Sequence, residues 1–209
     1  MAEITAQAVN EFRKTTGLGL MECKALLKEA EGDMKKAMTL AQERGKANAA
    51  KRSGRAAKAG RVEFYQHHDG KSAAMIEVNC ETDFVARNEE FRQLAKDLAL
   101  HIVAANPVAV RREDVDPATV EEQRRIFLKQ AEDKPEPIRA KIAEGKLNSW
   151  FSESVLLDQV FVKDSAKTVR EKILDVNARV GENISVARFA RFIVGDSAPA
   201  TEPEPEPEA

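Results

Sequence analysis

The 209 residues suit one large domain or two modest ones, and 43% hydrophobic with 33% charged residues describes a chain that folds and stays in solution. Aromatic residues are 5% of the total, with one Trp (Trp150) and one Tyr (Tyr65), which argues against an aromatic platform for sugars or single-stranded nucleic acid. The formal charge of −2 hides a split, because residues 196 to 209 hold five acids and no base and leave the rest of the chain net positive.

Two cysteines, Cys23 and Cys80, stand far apart with no CxxC pair. That pattern excludes a cysteine zinc site and a disulfide scaffold, and it suits a reducing compartment. No uncharged apolar run approaches the roughly 20 residues of a membrane span. The first residues lack a basic segment followed by an apolar one, so no leader is read there and the cytoplasm is the expected location.

Residues 1 to 45 read as three short helices forming a minimal bundle. Val9 and Phe12 share one face of the first, and Leu20, Cys23 and Leu27 fall at helical spacing in the second. Asp33 caps the third, which presents Ala37, Leu40 and Ala41 and is expected to stop at Gly45. Residues 46 to 60 form a basic linker. From Arg44 to Arg61 there are seven bases and no acid, so the segment is either a solvated connector or an arm for nucleic acid.

Residues 61 to 195 read as an α+β core. Arg61 to His68 and Ser72 to Cys80 alternate with period two around Asp69-Gly70, which predicts an antiparallel hairpin with Val62 and Phe64 on one face of its first strand. After a loop, Asn88 caps a helix striped by Phe91, Leu94, Ala95, Leu98 and Ile102 and closed by Asn106-Pro107. Asp116-Pro117 opens a charged helix, and a second begins near Ile138 beyond Lys134-Pro135-Glu136-Pro137. Together they predict a projecting helical hairpin over about 117–150. The spacing of Val169, Ile173, Val176 and Val180 predicts a last helix from about Ala166 to Gly181. Ile184 to Val194 carries apolar residues at both parities, the pattern of a central strand covered on both sides. The Pro-Glu repeat within residues 196 to 209 has no apolar surface to bury and is expected to be disordered.

Several motifs that could carry chemistry do not. Gly70-Lys71-Ser72 lacks the first glycine of a phosphate loop, since that position is Tyr65, and strands flank it on both sides. His67 and His68, as neighbours on a strand, would point to opposite faces and could not chelate one ion, whereas His67 with Tyr65 on an outward face could touch a partner. No nucleophile stands beside a base in any known spacing. No cofactor, no metal and no catalytic residue is expected. The segment Asn79 to Asn88 is the most informative: the helix cap at Asn88 does not require Phe84 or Val85, so they either tuck between sheet and helix or form an exposed apolar tip beside Asp83.

Glu77-Val-Asn-Cys-Glu-Thr-Asp-Phe-Val-Ala-Arg-Asn88 closely resembles the signature loop of the elongation factor Ts family. Thr15-Thr-Gly-Leu-Gly-Leu-Met-Glu-Cys-Lys-Ala-Leu26, Phe161-Val-Lys-Asp164 and Val180-Gly-Glu-Asn-Ile184 resemble other motifs of that family in the same order, so the resemblance spans residues 1 to about 195. It implies a ubiquitin-associated-like three-helix domain ahead of an α+β core, and an exchange factor that releases GDP from the GTPase elongation factor Tu. Thr82, Asp83, Phe84 and Val85 would then be partner-binding, with Asp83 and Phe84 pressing near the magnesium site and phosphate loop. Val180 and Gly181 would contact the same region, Leu20 and Met21 a helix of the nucleotide domain, and His67 another domain. The family often has Met-Met where this chain has Leu20-Met21. Each core motif occurs once, which resembles the family's short form and implies a homodimer. The alternative is an RNA- or ribosome-associated protein working through the basic linker; no specific nucleic acid and no membrane are expected as partners.

Overall fold

A computed structural model describes residues 4–16, 18–52 and 54–196; the greater part of the expected acidic tail, from residue 197 on, lies outside them. Three helices open the chain, α1 (Ala6–Thr16), α2 (Leu20–Glu29) and α3 (Met34–Arg52). They close on Val9, Phe12, Cys23, Leu26, Leu27 and Ala37. The Asp33 carboxylate accepts the N–H groups of Lys36 and Lys35, which caps α3 and holds this carboxyl below its usual range. One end of the expected α2 stripe is corrected: Leu20 is 49% exposed, and Leu26 takes the inside position.

The expected stop at Gly45 is also corrected, because α3 continues through the first part of the basic linker to Arg52. Gly45 is not among the glycines with positive φ, so it is no helix cap. A Cβ built on it would stand 3.0 Å from the Ala178 Cβ. The glycine therefore serves a close approach between helices, and the alanines after it favour helix continuation.

The core sheet is β1 (Ala59–Gln66), β2 (Ser72–Cys80) and β5 (Ser185–Ile193), antiparallel throughout and ordered β1-β2-β5. Between β2 and β5 come α4 (Asp83–Arg87), α5 (Glu89–Ala105), α6 (Pro117–Gln130), α7 (Glu136–Ser154), the small ribbon β3 (Val160–Phe161) with β4 (Asp164–Thr168), and α8 (Val169–Val180). One sheet face, with Ala74, Ile76 and Val78, is buried with Phe91, Leu94, Leu98 and Ile102 of α5 and with Val169, Ile173 and Val176 of α8. That face is the interior of the molecule.

The reading of β5 as a central strand is wrong, since β5 is an edge and β2 is central. Its apolar residues fall at both parities for a different reason. The register shifts at Glu77/Val78, so Val186 pairs with Val78 but Phe189 pairs with Ile76, and one extra residue on β5 reverses which parity faces the core. Beyond that bulge Phe189 packs inward while Phe192 is exposed. Val62 and Phe64 of β1 are likewise exposed, and Tyr65 packs toward the core instead of outward.

Other boundaries move for local reasons. Asp164 to Thr168 pairs as β4, and α8 starts only at Val169 because Thr168 and Glu171 form a reciprocal cap there. The helical hairpin spans α6 and α7, with α7 beginning at Glu136 behind Pro135 and reaching Ser154. Its base is seated by Val120, Trp150 and Phe151 against Ala109, Val115 and Val155, whereas α6 itself has no fully buried residue. Among the described residues, no helix is long and apolar enough to cross a membrane.

Candidate functional site

The segment between β2 and α5, expected as a loop, contains the short helix α4. The Thr82 side chain accepts the Val85 N–H at 3.4 Å and so caps it, and Asn88 caps α5 in the same way by accepting the Glu90 N–H at 2.8 Å. Successive residues on a helix point about 100° apart, so a helical turn here separates the two apolar neighbours. Phe84 is 88% exposed, while Val85 is 9% exposed and joins the main core. Both readings of the pair hold, one for each residue.

The α8 to β5 turn packs beside α4. Gly181 ends α8 in the left-handed region, at φ 79° and ψ 9°, which a residue with a Cβ adopts only with strain. Glu182 follows. One of its oxygens accepts the N–H groups of Glu81 at 3.1 Å and Thr82 at 3.0 Å, and the other accepts the Thr82 hydroxyl at 2.6 Å. In return the Glu81 carboxylate accepts the Asn183 N–H at 2.8 Å. The buried Asn177 side chain accepts the Ile184 N–H at 3.2 Å, and the Asn183 amide donates to the Arg55 carbonyl at 2.9 Å. Arg55, from the basic linker, reaches Glu81 at 3.5 Å.

The structure thus brings Thr82, Asp83, Phe84 and Val85 together with Val180 and Gly181, Val180 lying half-buried against the core. Leu20 and Met21 stand elsewhere, on the open side of α2, where Met21 is 76% exposed. A cleft of about 180 Å³ separates the first helices from α8, lined by Leu18, Met38, Leu174 and Arg179 among others. His67 lies at the opposite end of the sheet, since Ala59 pairs with Cys80 and β1 runs eight residues away from that end, roughly 25 Å. His67 and His68 are past the end of β1, in the hairpin turn, so the opposite-faces expectation fails and their rings stand 4.2 Å apart. The Tyr65 hydroxyl meets His67 Nδ1 at 3.3 Å.

No group of three or more His, Cys, Asp or Glu that could hold a metal ion exists among the described residues. Cys80 lies directly beneath the tip and donates to the Thr82 carbonyl at 3.2 Å. Burial, with the Glu182 charge behind it, pushes the thiol up to about 11, so at neutral pH it is protonated and not nucleophilic. Three of the linker-region bases are engaged: Arg44 with Glu29, Arg55 with Glu81 and Arg61 with Glu63. Sequence reasoning missed Glu81, Glu182, Asn183 and Arg55 as partners of the tip. The contacts of Glu182 and Asn183 with the tip join positions about a hundred residues apart, that of Arg55 with Glu81 spans 26, and no local spacing signals them.

A family model described as Elongation factor TS matches residues 2–196. Proteins named Elongation factor Ts from Alkaliphilus oremlandii (strain OhILAs), Geotalea uraniireducens (strain Rf4) and Solibacter usitatus (strain Ellin6076) are 50%, 49% and 46% identical to it over 196, 195 and 199 residues. Those spans cover 93%, 92% and 94% of this chain and 90%, 90% and 94% of theirs.

Proposed function

Since the chain belongs to the elongation factor Ts family, and is by that membership a translation elongation factor, we propose that it is a guanine nucleotide exchange factor for elongation factor Tu, acting where translation takes place. The observation that carries this reading is Phe84, a large aromatic side chain held almost wholly in solvent on a capped helical turn. An exposed aromatic residue has no stabilising role in the free protein, and it is the kind of group that dominates a protein interface.

The mechanism is linkage. A protein that binds the nucleotide-free GTPase more tightly than the GDP-bound form must weaken GDP by the same factor. No bond is made or broken, so the exchange factor needs no catalytic residue. Phe84 and Asp83 press toward the loops that hold magnesium and phosphate, whose grip depends on the placement of oxygen ligands and backbone amides. Thr82 shapes the tip, Val85 anchors it from below, and Val180 and Gly181 flank it. Leu20 and Met21 supply a second apolar contact from the three-helix region, and His67 a third from the hairpin turn.

The same reading includes a homodimer. The outer face of the sheet carries Val62, Phe64, Met75 and Phe192 in the open, with Phe64 and Met75 directly paired across β1 and β2. A face of this kind matches a second copy of itself about a two-fold axis. The test of the main reading is release of fluorescent GDP from elongation factor Tu with and without the protein. Stimulated release is expected; a rate equal to spontaneous release would sink the proposal.

A further inference from the structure

The α4 turn that presents Phe84 is five residues long, far below the length at which a helix holds itself together in water. Its shape must therefore be imposed from outside. The Thr82 cap contributes one long hydrogen bond, 3.4 Å to the Val85 N–H, which is a weak constraint. The stronger bonds at this corner come from the neighbouring α8 to β5 turn, where both oxygens of Glu182 are in use on three donors of Glu81 and Thr82.

We propose that Glu182 is the positioning residue for Phe84: its carboxylate fixes the backbone and hydroxyl of Thr82, Thr82 fixes the α4 turn, and the turn aims the aromatic ring. The proposal rests on the exchange reading and names the residue that makes the wedge rigid. Three details of the geometry carry it. First, all three groups that face Glu182 donate, so only a side chain that accepts on both oxygens satisfies them, and a carboxylate does so with charge-assisted bonds. Second, when the Thr82 hydroxyl donates to Glu182 its lone pairs are turned toward Val85, so the same contact that holds Thr82 also orients the cap. Third, the clasp is reciprocal. Glu81 takes the Asn183 N–H, so neither the α8 to β5 turn nor the segment after β2 can shift without the other. Gly181 makes this possible by turning the chain sharply out of α8, and Arg55 ties the end of the linker to the same point.

A rigid mount matters because a wedge works by displacing loops of its partner. If the turn is loose, insertion orders it at the expense of binding, and less of the contact appears as weakened GDP. Glu182 touches no partner in this account and acts only through Phe84.

The experiment compares Glu182→Ala, Glu182→Gln, Phe84→Ala and the double variant Glu182→Ala/Phe84→Ala in full-length protein. It measures stimulated GDP release, thermal melting and amide hydrogen exchange at Thr82 and Val85. Glu182→Ala is expected to lower stimulated release about tenfold to a hundredfold, the loss that follows a misplacement near 1 Å, and to speed amide exchange at both positions. Glu182→Gln keeps one oxygen for the two N–H groups but turns an amide toward the Thr82 hydroxyl, so it falls between parent and Ala. In the Phe84→Ala background the same Glu182→Ala change is expected to leave release nearly unchanged, which a general loss of folding would not do. Parental release by Glu182→Ala, unchanged amide protection at Thr82 and Val85, or an equal loss in both backgrounds would each overturn the role of Glu182. Failure of the parent protein to stimulate release would instead remove the exchange reading itself, and the role of Glu182 with it.

Discussion

Phe84 and Phe64 are both large, apolar and far out in solvent, at 88% and 68% exposure, yet their surroundings differ in kind. Phe84 stands alone on a short turn, flanked by Asp83 and Arg87 and braced from beneath by Val85 and from the side by Glu182. Phe64 lies in a strip with Val62, Met75 and Phe192, spread over three strands held together by the antiparallel ladders of the sheet. A lone projecting ring fits a concave site on a different molecule, whereas a flat apolar strip fits another flat strip. Exposure alone does not say what a residue is for; its neighbours do.

The sharpest way to break this contrast is at the tip. Phe84→Ala is expected to cost about 2 to 4 kcal/mol of binding to the nucleotide-free GTPase, roughly 30-fold to 1000-fold, while thermal stability stays within about 0.5 kcal/mol because nothing packs on the ring. Val85→Ala should do the reverse, losing about 1 to 3 kcal/mol of folding stability by emptying a core position and affecting release only as far as the turn loosens. Melting and GDP release on the two variants check both. If Phe84→Ala melts far below the parent, or releases GDP at the parental rate, the ring is not the wedge.

At the flat strip the expected effect is on assembly. Phe64→Asp places a charge in the middle of the proposed two-fold interface and should convert a species of twice 23.1 kDa into single chains in sedimentation at micromolar concentration. A parent that already sediments as one chain would remove the dimer. Asp83→Ala is the smaller companion at the tip: an exposed carboxylate contributes little to folding, so release should fall by less than with Phe84→Ala and the melting curve should not move.

Much of this organisation is readable from residue patterns, and the exceptions have physical causes. The α5 stripe from Phe91 to Ile102 was legible because one helix face meets one sheet, so spacing alone reports burial. The β5 pattern misled because a bulge changes parity within a strand, and a run of alternating residues cannot say where the extra residue sits. Gly45 misled because a glycine that allows close helix packing and a glycine that ends a helix look alike until the facing Ala178 is known. At the site, Thr82 to Val85 stood out locally, but the split between Phe84 and Val85 depended on a helical turn that propensity over five residues cannot establish. Glu182 was invisible as a partner of Thr82, since a bond across a hundred residues leaves no trace in spacing.

A last expectation concerns what the two surfaces share. His101 is fully buried on α5, between Gln159 and the ring of Phe161, in the body that carries both Phe84 and Phe64. The Val162 N–H donates to its Nδ1 at 3.2 Å, which places the proton on Nε2, facing Gln159 Oε1 at 3.0 Å. Gln159 in turn donates to the carbonyls of Ala105 and Glu153, at 3.0 and 2.7 Å. The network is complete only with a neutral ring, because a second proton on Nδ1 would oppose the Val162 N–H. Burial pushes the His101 pKa below its ordinary 6.5, and the Gln159 contact, which acts upward, is the weaker influence. In the unfolded chain the imidazole takes up a proton as pH drops through about 6.5, whereas the folded chain does so only at lower pH, so the unfolded state binds more protons in that window. Stability is therefore complete above that value and declines as pH falls toward the depressed folded pKa. Melting from pH 7.5 to 5.5 should show this decline, and His101→Gln should flatten it while lowering stability throughout. Because the group lies in the shared interior, exchange and dimerisation should weaken together in acid and in step with melting. Loss of exchange over that range with a flat melting curve would place the titrating group outside this buried network.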